Sequence, residues 1–215
     1  MQTYKYAIFD MDGTLLDSLA DLKNAVNHVC EKHNHPTFSL EEIRKMVGRG
    51  NRKLMIDAIP QGEDDPNFEE KFQEFKDYYF THCKEETLPY DGVDELLSFL
   101  KERGIPTAIV SNKYDAAVKE LAEYYFGDKI TKAYGVKEGR KTKPSPDGCF
   151  EAMKDLGATK AETLYIGDSD VDAETAKNSE LDCVLVSWGF RSRELLEKKQ
   201  HIDIVDKVLD LEKFF

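Results

Sequence analysis

Three short apolar runs in this chain end directly in polar clusters, and no other feature limits the fold as strongly. Tyr6-Ala7-Ile8-Phe9 runs into Asp10-Met11-Asp12-Gly13-Thr14, Thr107-Ala108-Ile109-Val110 into Ser111-Asn112-Lys113, and Thr163-Leu164-Tyr165-Ile166 into Gly167-Asp168-Ser169-Asp170-Val171-Asp172. Short runs of this composition, bounded by polar turns, read as buried strands. Cys183-Val184-Leu185-Val186 has the same character, and Ile202 to Val205 is a further candidate. Amphipathic stretches separate them, such as Val93 to Arg103 with Leu96, Leu97 and Leu100 on one side. Strand and helix in alternation predict an α/β fold: a doubly wound, mostly parallel, Rossmann-like sheet with helices on both faces. In such sheets ligands bind beyond the carboxyl ends of the strands, so the three clusters are expected to face one crevice.

The alternation breaks between about Asp17 and Glu86. Leu19, Leu22, Val26, Val29 and Cys30 recur at helical spacing, as do Phe68, Phe72, Phe75 and Tyr79, and Ser39 with Glu42 forms a capping-box pattern. The block contains no convincing strand. It is expected to be an all-helical cap, residues 17–87, inserted after the first strand of a core made of 1–16 and 88–215. A chain of 215 residues is long enough for a core with such an insertion. Placed at the carboxyl end of a strand, the insertion would lie over the crevice as a lid.

The formal net charge of −12 argues against nucleic acid, whose phosphate backbone needs a basic surface. A phosphorylated metabolite remains compatible, provided a cation and a few local donors line its site. Cys30, Cys83, Cys149 and Cys183 are widely spread and form no CxxC pair, so free buried thiols are expected rather than a disulfide framework or a zinc ribbon. The apolar stretch before Asp10 is too short for a signal-peptide core, and no later run approaches transmembrane length. A cytoplasmic protein with no membrane partner is expected. Nothing in the sequence bears on oligomeric state.

The clusters themselves suggest phosphoryl chemistry. A carboxylate at a strand end, Asp10, is a competent nucleophile toward phosphorus when a metal reduces the repulsion between two anions. Asp12, two residues on, can protonate a leaving oxygen and later take a proton from water. Gly13 allows the sharp turn, and Thr14 offers a hydroxyl and an amide. Taken alone, Asp-x-Asp-Gly equally fits a capped turn. The acidic loop Asp168-Ser169-Asp170-Val171-Asp172 offers only oxygen ligands, which suits magnesium, and it lacks the EF-hand pattern of a calcium loop. The helix macrodipole alone would explain Asp170 and Asp172, but it explains Asp168 less well. Lys143, in Lys143-Pro144-Ser145-Pro146-Asp147, supplies the fixed positive charge that a site crowded with carboxylates needs, and Ser111 adds a hydroxyl. His33-Asn34-His35 reads as a surface turn and Phe68 to Phe80 as cap core, while Trp188 is expected at the edge of the site.

Together, Asp10-Met-Asp-Gly-Thr-Leu-Leu-Asp-Ser18, Val110-Ser-Asn-Lys113, Lys143-Pro-Ser-Pro-Asp147 and Gly167-Asp-Ser-Asp-Val-Asp172 resemble the four motifs of the haloacid dehalogenase-like hydrolase superfamily. The insertion resembles its helical-cap subclass. Val47-Gly-Arg-Gly50 and Trp188-Gly-Phe-Arg-Ser-Arg193 resemble its phosphoglycolate phosphatase group. The resemblance implies a magnesium-dependent phosphatase working through an aspartyl-phosphate, with phosphoglycolate as the best single substrate. On the matching positions it implies Asp10 as nucleophile and magnesium ligand, and Asp12 as general acid/base that also lends the metal its backbone carbonyl. Asp168 would ligate magnesium, with Asp172 behind it. Thr14, Ser111, the Asn112 amide and Lys143 would hold the phosphoryl group. An acid at position 12 disfavours halide displacement.

A phosphomutase of the same superfamily is disfavoured, because Ser18-Leu19-Ala20 stands where mutases usually carry Thr-Asp-Thr. A pyrophosphatase stays open, and a non-catalytic phospho-acceptor domain would be about half this length and capless. In the cap, Val47-Gly48-Arg49-Gly50-Asn51-Arg52-Lys53 concentrates three cations in an acidic protein. Arg49 is the candidate partner for a substrate carboxylate, beside a helix N-terminus with free amides. The alternative is that these cations pair with surface acids or hold the cap to the core.

Overall fold

In the computed structural model, which describes residues 3–215, the strands β1 (Tyr6–Phe9), β4 (Thr107–Tyr114), β5 (Lys132–Val136), β6 (Thr163–Gly167), β7 (Asp182–Val186) and β8 (Asp203–Val205) form one sheet in the order β5-β4-β1-β6-β7-β8. The first two residues of the expected core segment lie outside the described residues. Every pairing in this sheet is parallel. The chain runs outward from β1 to one edge, returns, and runs outward from β6 to the other. The order therefore reverses beside β1, which puts the ligand crevice of a doubly wound sheet at the carboxyl ends of β1, β4 and β6.

Alternate residues of each strand enter separate cores. Ala7, Phe9, Leu164, Ile166, Val184 and Val186 pack on one face with α5 (Val93–Glu102) and α6 (Asp115–Phe126). Ile8, Tyr165, Cys183 and Leu185 pack on the other with α7 (Asp147–Leu156) and α8 (Asp170–Ser179). Strands covered on both sides need apolar residues at every position, which is why they appear in the sequence as continuous runs rather than alternating ones.

Between β1 and β4 come α1 (Leu19–Lys32), α2 (Leu40–Met46), α3 (Asn51–Ala58) and α4 (Phe68–His82). The expected capping box opens α2: Ser39 Oγ accepts from Glu42 N, and Glu42 Oε2 accepts from Ser39 N at 2.8 Å. Phe72, Phe75 and Tyr79 of α4 are buried in a stacked row, so these aromatics are cap core. The two connections to this cap pair with each other as a short antiparallel ribbon, β2 (Leu16–Asp17) with β3 (Leu88–Pro89). Buried Asp21 at the start of α1 closes it, accepting hydrogen bonds from Glu86 N (3.0 Å), Thr87 N (2.9 Å) and Thr87 Oγ1 (2.7 Å). All four cysteines are free and buried. Among the described residues no helix is long and apolar enough to cross a membrane.

Two elements differ from the reading above. β4 continues through Ser111-Asn112-Lys113 instead of stopping at Val110, with an irregular register between Val110 and Tyr114. β5 had no apolar run to announce it, because it is an edge strand with exposed Lys132 and with Gly135 in its middle. A Cβ on Gly135 would stand 2.5 Å from the Lys113 carbonyl oxygen and 2.6 Å from Asp115 N, so glycine is what lets the edge strand close on β4.

Candidate active site

The end of β1 delivers Asp10 into the crevice, where it is almost fully buried. Its Oδ1 accepts from Met11 N at 2.7 Å and lies 2.8 Å from Lys143 Nζ. Gly13, at φ 87°, turns the chain back beneath the loop after β6; an added Cβ there would stand 2.4 Å from Asp168 Oδ2. Gly189 approaches the same carboxylate equally closely. Asp168 thus sits in a slot walled by two glycines, held by the Phe190 amide donating to Oδ2 at 2.7 Å.

Asp172, in the first turn of α8, is fully engaged. Lys143 Nζ and Tyr165 OH donate to Oδ1, each at 2.8 Å, while Ser169 N and Oγ donate to Oδ2 at 3.1 and 2.5 Å. Lys143 is itself placed by Asn112, whose Oδ1 accepts from Lys143 N at 2.7 Å and whose Nδ2 donates to Lys143 O at 3.1 Å. A strand-end asparagine and a loop lysine, far apart in sequence, are thereby fixed to each other through the backbone.

Asp10, Asp168 and Asp172 each offer an oxygen within 4.8 Å of the others. Three buried carboxylates face one ammonium, and their protonation tendencies reflect that imbalance. Burial, then the charge on Asp172, pushes the Asp10 carboxyl well above the usual range, and the same causes raise Asp168 to about 7. Burial acts upward on Asp172 too, but the charge and hydrogen bond of Lys143, with those of Ser169 and Tyr165, hold it below the usual value. Desolvation opposes the charge on Lys143, and the adjacent carboxylates overcome it. A site in which two carboxylates are driven toward protonation is short of positive charge. The donors are all oxygen. Among the described residues Asp10 Oδ2 has no hydrogen-bond partner, and Asp168 Oδ1 has only the 3.4 Å contact from Thr14 Oγ1. These two oxygens fit a hard divalent cation; Asp172, spent on four donors, stands behind them.

Asp12 lies beside this cluster, half-buried, with Ser18 Oγ at 2.5 Å and Lys113 Nζ at 2.6 Å from its Oδ1. Trp188 is at the edge, donating from Nε1 to the Thr14 carbonyl at 3.1 Å. The cap closes over the site. Leu22, Val47, Gly48, Gly50, Asn51 and Leu54 face Asp10, Asp12, Ser111, Asn112 and Lys143 across a cavity of about 40 Å³.

The haloacid dehalogenase-like hydrolase family model matches residues 7–186. The chain belongs to this family. It is a phosphatase-type hydrolase of the haloacid dehalogenase-like kind. It is 34% identical to a phosphoglycolate phosphatase of Rhodobacter capsulatus, over 87% of this chain and 86% of that one. A solved structure of a proposed phosphoglycolate phosphatase from Lactobacillus delbrueckii subsp. bulgaricus superposes with a TM-score of 0.93 at 37% identity, covering 99% of this chain and 98% of the other. An N-acetylmuramic acid 6-phosphate phosphatase of Pseudomonas aeruginosa is 29% identical over 86% of this chain and 83% of its own length.

Within this haloacid dehalogenase-like site, Asp10, Asp12, Ser111, Asn112, Lys143 and Asp168 line one cavity, with Asp172 directly behind Lys143. Thr14 does not line it; its hydroxyl turns to Asp168 and its carbonyl to Trp188. Arg49 lies outside this cavity. It is exposed and lines an outer groove with Glu41, Arg44, Asp57 and Asp170, because the turn through Gly48 and Gly50 presents backbone, not this side chain, to the cavity. Its neighbours behave as surface cations, Arg52 pairing with Glu63 and Glu69 and Lys53 with Asp57. Three residues of the site had escaped notice as functional. Tyr165 reads only as a strand residue, yet its hydroxyl bonds Asp172. Lys113 stood in a recognised cluster with no role. Arg191 lines the cavity and donates to the Arg44 and Val47 carbonyls at 2.9 and 2.5 Å, at the end of α2.

Proposed function

We propose that this hydrolase is a magnesium-dependent phosphatase of a small phosphorylated acid, phosphoglycolate in the first place, acting through an aspartyl-phosphate on Asp10. The observation that carries the reading is the cavity of about 40 Å³, whose floor is Asp10, Asp168 and Lys143 and whose roof is the seated cap. A space this small suits a phosphoryl group with a short substituent; drug-sized ligands occupy roughly 300–1,000 Å³. A nucleotide or a muramic acid phosphate would need the cap to seat higher.

An Asp10 carboxylate oxygen attacks phosphorus, forming the acyl-phosphate bond as the bond to the leaving oxygen breaks. Asp12 gives that oxygen its proton. It then takes one from the water that attacks the same phosphorus and expels Asp10. Lys143, with the Ser111 hydroxyl and the Asn112 amide, balances charge on the phosphoryl oxygens. Asp10 and Asp168, with the Asp12 carbonyl, would hold a magnesium ion, which would supply the further positive charge that lets two anions meet. On the cap side, Asn51 and the first amides of α3 are the donors for a substrate carboxylate, and the Asn51 side chain has no hydrogen-bond partner among the described residues.

Phosphate release from phosphoglycolate, 3-phosphoglycerate, sugar phosphates, nucleotides and pyrophosphate tests the reading. Two- and three-carbon acids should lead by at least about tenfold in kcat/KM, about 1.4 kcal/mol of differential binding. Chelation should stop turnover, magnesium should restore it, and Asp10→Asn should abolish it in a folded protein. Preference for a nucleotide, or full activity in chelator, would refute the corresponding part.

A further inference from the structure

Lys113 is a charged group of the cavity to which the proposed chemistry assigns nothing, and unlike Arg191 it touches a residue of that chemistry. Its side chain is 1% exposed, and an ammonium so placed is costly to desolvate; an apolar residue would fill the space at less cost. Its nitrogen touches two groups. One is Asp12 Oδ1, at 2.6 Å; the other is the hydroxyl of Tyr79, at 2.5 Å, on helix α4 of the cap. The same Asp12 oxygen accepts from Ser18 Oγ, on the connection into the cap, at 2.5 Å. Asp12 Oδ2 has no hydrogen-bond partner among the described residues. One oxygen is therefore pinned while the other is left to handle the proton, and the pin is anchored partly in the cap.

We infer that Lys113 is the positioning residue of Asp12, and that Tyr79 makes this positioning depend on the cap being seated. This rests on the reading of Asp12 as the acid and base of the reaction. With the cap lifted, Tyr79 leaves Lys113, and the ammonium loses the contact that fixes it against Asp12. Seating the cap would then do two things at once, closing the cavity and setting the proton donor. Tyr79 is suited to the second role because it is buried and stacked on Phe75 with ring centroids 5.7 Å apart, so its hydroxyl cannot follow Lys113 without the whole helix moving.

The test separates steps that need the Asp12 proton from one that does not. The alkoxide of phosphoglycolate (or, if that is not hydrolysed, of the fastest alkyl monoester in the screen above) must be protonated as it leaves. The acetate of acetyl phosphate, a substituent short enough for the seated cap, leaves without help. Lys113→Met should lower kcat on the alkyl ester by about 100-fold or more, the usual worth of general acid–base catalysis, with KM within about twofold. First-turnover loss of acetyl phosphate, which reports formation of the aspartyl-phosphate alone, should stay within about fivefold of wild type. Tyr79→Phe removes one oxygen from a packed ring and keeps the variant foldable; it should show the same selectivity, at about five- to twentyfold on the alkyl ester. Asp12→Asn is the control. If Asp12→Asn is selective and Lys113→Met slows both reactions equally, or neither, Lys113 is structural and the inference is overturned. If Asp12→Asn is itself not selective, the fault lies in the assignment of Asp12, and the inference falls with it. If Lys113→Met does not fold, an equal or absent effect of Tyr79→Phe on the two reactions overturns it.

Discussion

Among the contacts that hold the seated cap to the core, Arg191 supplies two hydrogen bonds to cap carbonyls, and replacing it has a calculable effect. Arg191 comes from the loop after β7, and its side chain is only 13% exposed. Nη1 donates to the Arg44 carbonyl at 2.9 Å and Nη2 to the Val47 carbonyl at 2.5 Å, while Nε lies 3.3 Å from Asp170 Oδ1. The two carbonyls belong to the last turn of α2, whose C-terminal oxygens lack partners within the helix and favour a nearby cation. Hydrogen bonds from a charged donor contribute about 1.5–3 kcal/mol each. When the cap lifts, water replaces them, so only part of that sum distinguishes the seated state. Arg191→Ala should therefore cost the seated cap about 2–3 kcal/mol, a factor of roughly 30 to 150 in the seating equilibrium. Substrate must enter past a lifted cap, because the closed cavity has room for little else. For a free enzyme that rests with its cap lifted, the difference then appears in kcat/KM, while the thermal midpoint of the core should move by no more than about 2 °C. Arg191→Lys keeps one donor to one carbonyl and should lie between. A folded Arg191→Ala enzyme whose kcat/KM stays within threefold of wild type would show that the clasp does not govern seating, and the energetic reasoning would be wrong.

Two further outcomes follow from the packing. Gly13→Ala places a Cβ 2.4 Å from Asp168 Oδ2 at a backbone angle unfavourable to L-residues, so titration calorimetry should show magnesium affinity lower by about 10- to 100-fold; unchanged affinity would mean that Asp168 is not held by that slot. Asp21→Ala leaves the Glu86 and Thr87 amides and the Thr87 hydroxyl without their acceptor, and urea unfolding should register a loss of about 2–4 kcal/mol; a loss below 0.5 kcal/mol would mean water substitutes there, contrary to the burial of Asp21 and Thr87.

Residues of this site differ in how far they can be read from sequence, and the reason is physical. Asp10, Asp12 and Asp168 follow strands that are covered on both faces, and Ser111 and Asn112 lie in the last half of one, so each is preceded by a continuous apolar run that marks the buried part of the strand. Their convergence then follows from the reversal of strand order. Lys143 has no strand before it and depends on the two hydrogen bonds of Asn112, which no local pattern announces; its prolines and its spacing within a recognisable motif made it visible. β5 was missed because an edge strand need be apolar only where it is covered. Tyr165 carries a double signal: as a β6 residue its ring must be apolar, and only the three-dimensional neighbour Asp172 gives its hydroxyl a purpose. The cap side was the least legible. Leu22 and Leu54 are buried positions of α1 and α3 and Val47 follows α2, as ordinary core residues do, and the pattern is the same whether the surface they cover is protein or substrate. In the same region Arg49 is the cation that the sequence sets within a glycine turn, and the turn directs backbone to the cavity and the arginine to the outer groove. Contacts that couple cap to core, Arg191 to Val47 and Lys113 to Tyr79, span 144 and 34 residues, and each joins a side chain to a partner with no sequence signature. If the cap selects the substrate as proposed, the choice is set by how its helices seat, and a change of a single apolar wall residue there should alter it without touching any motif that identifies the chemistry.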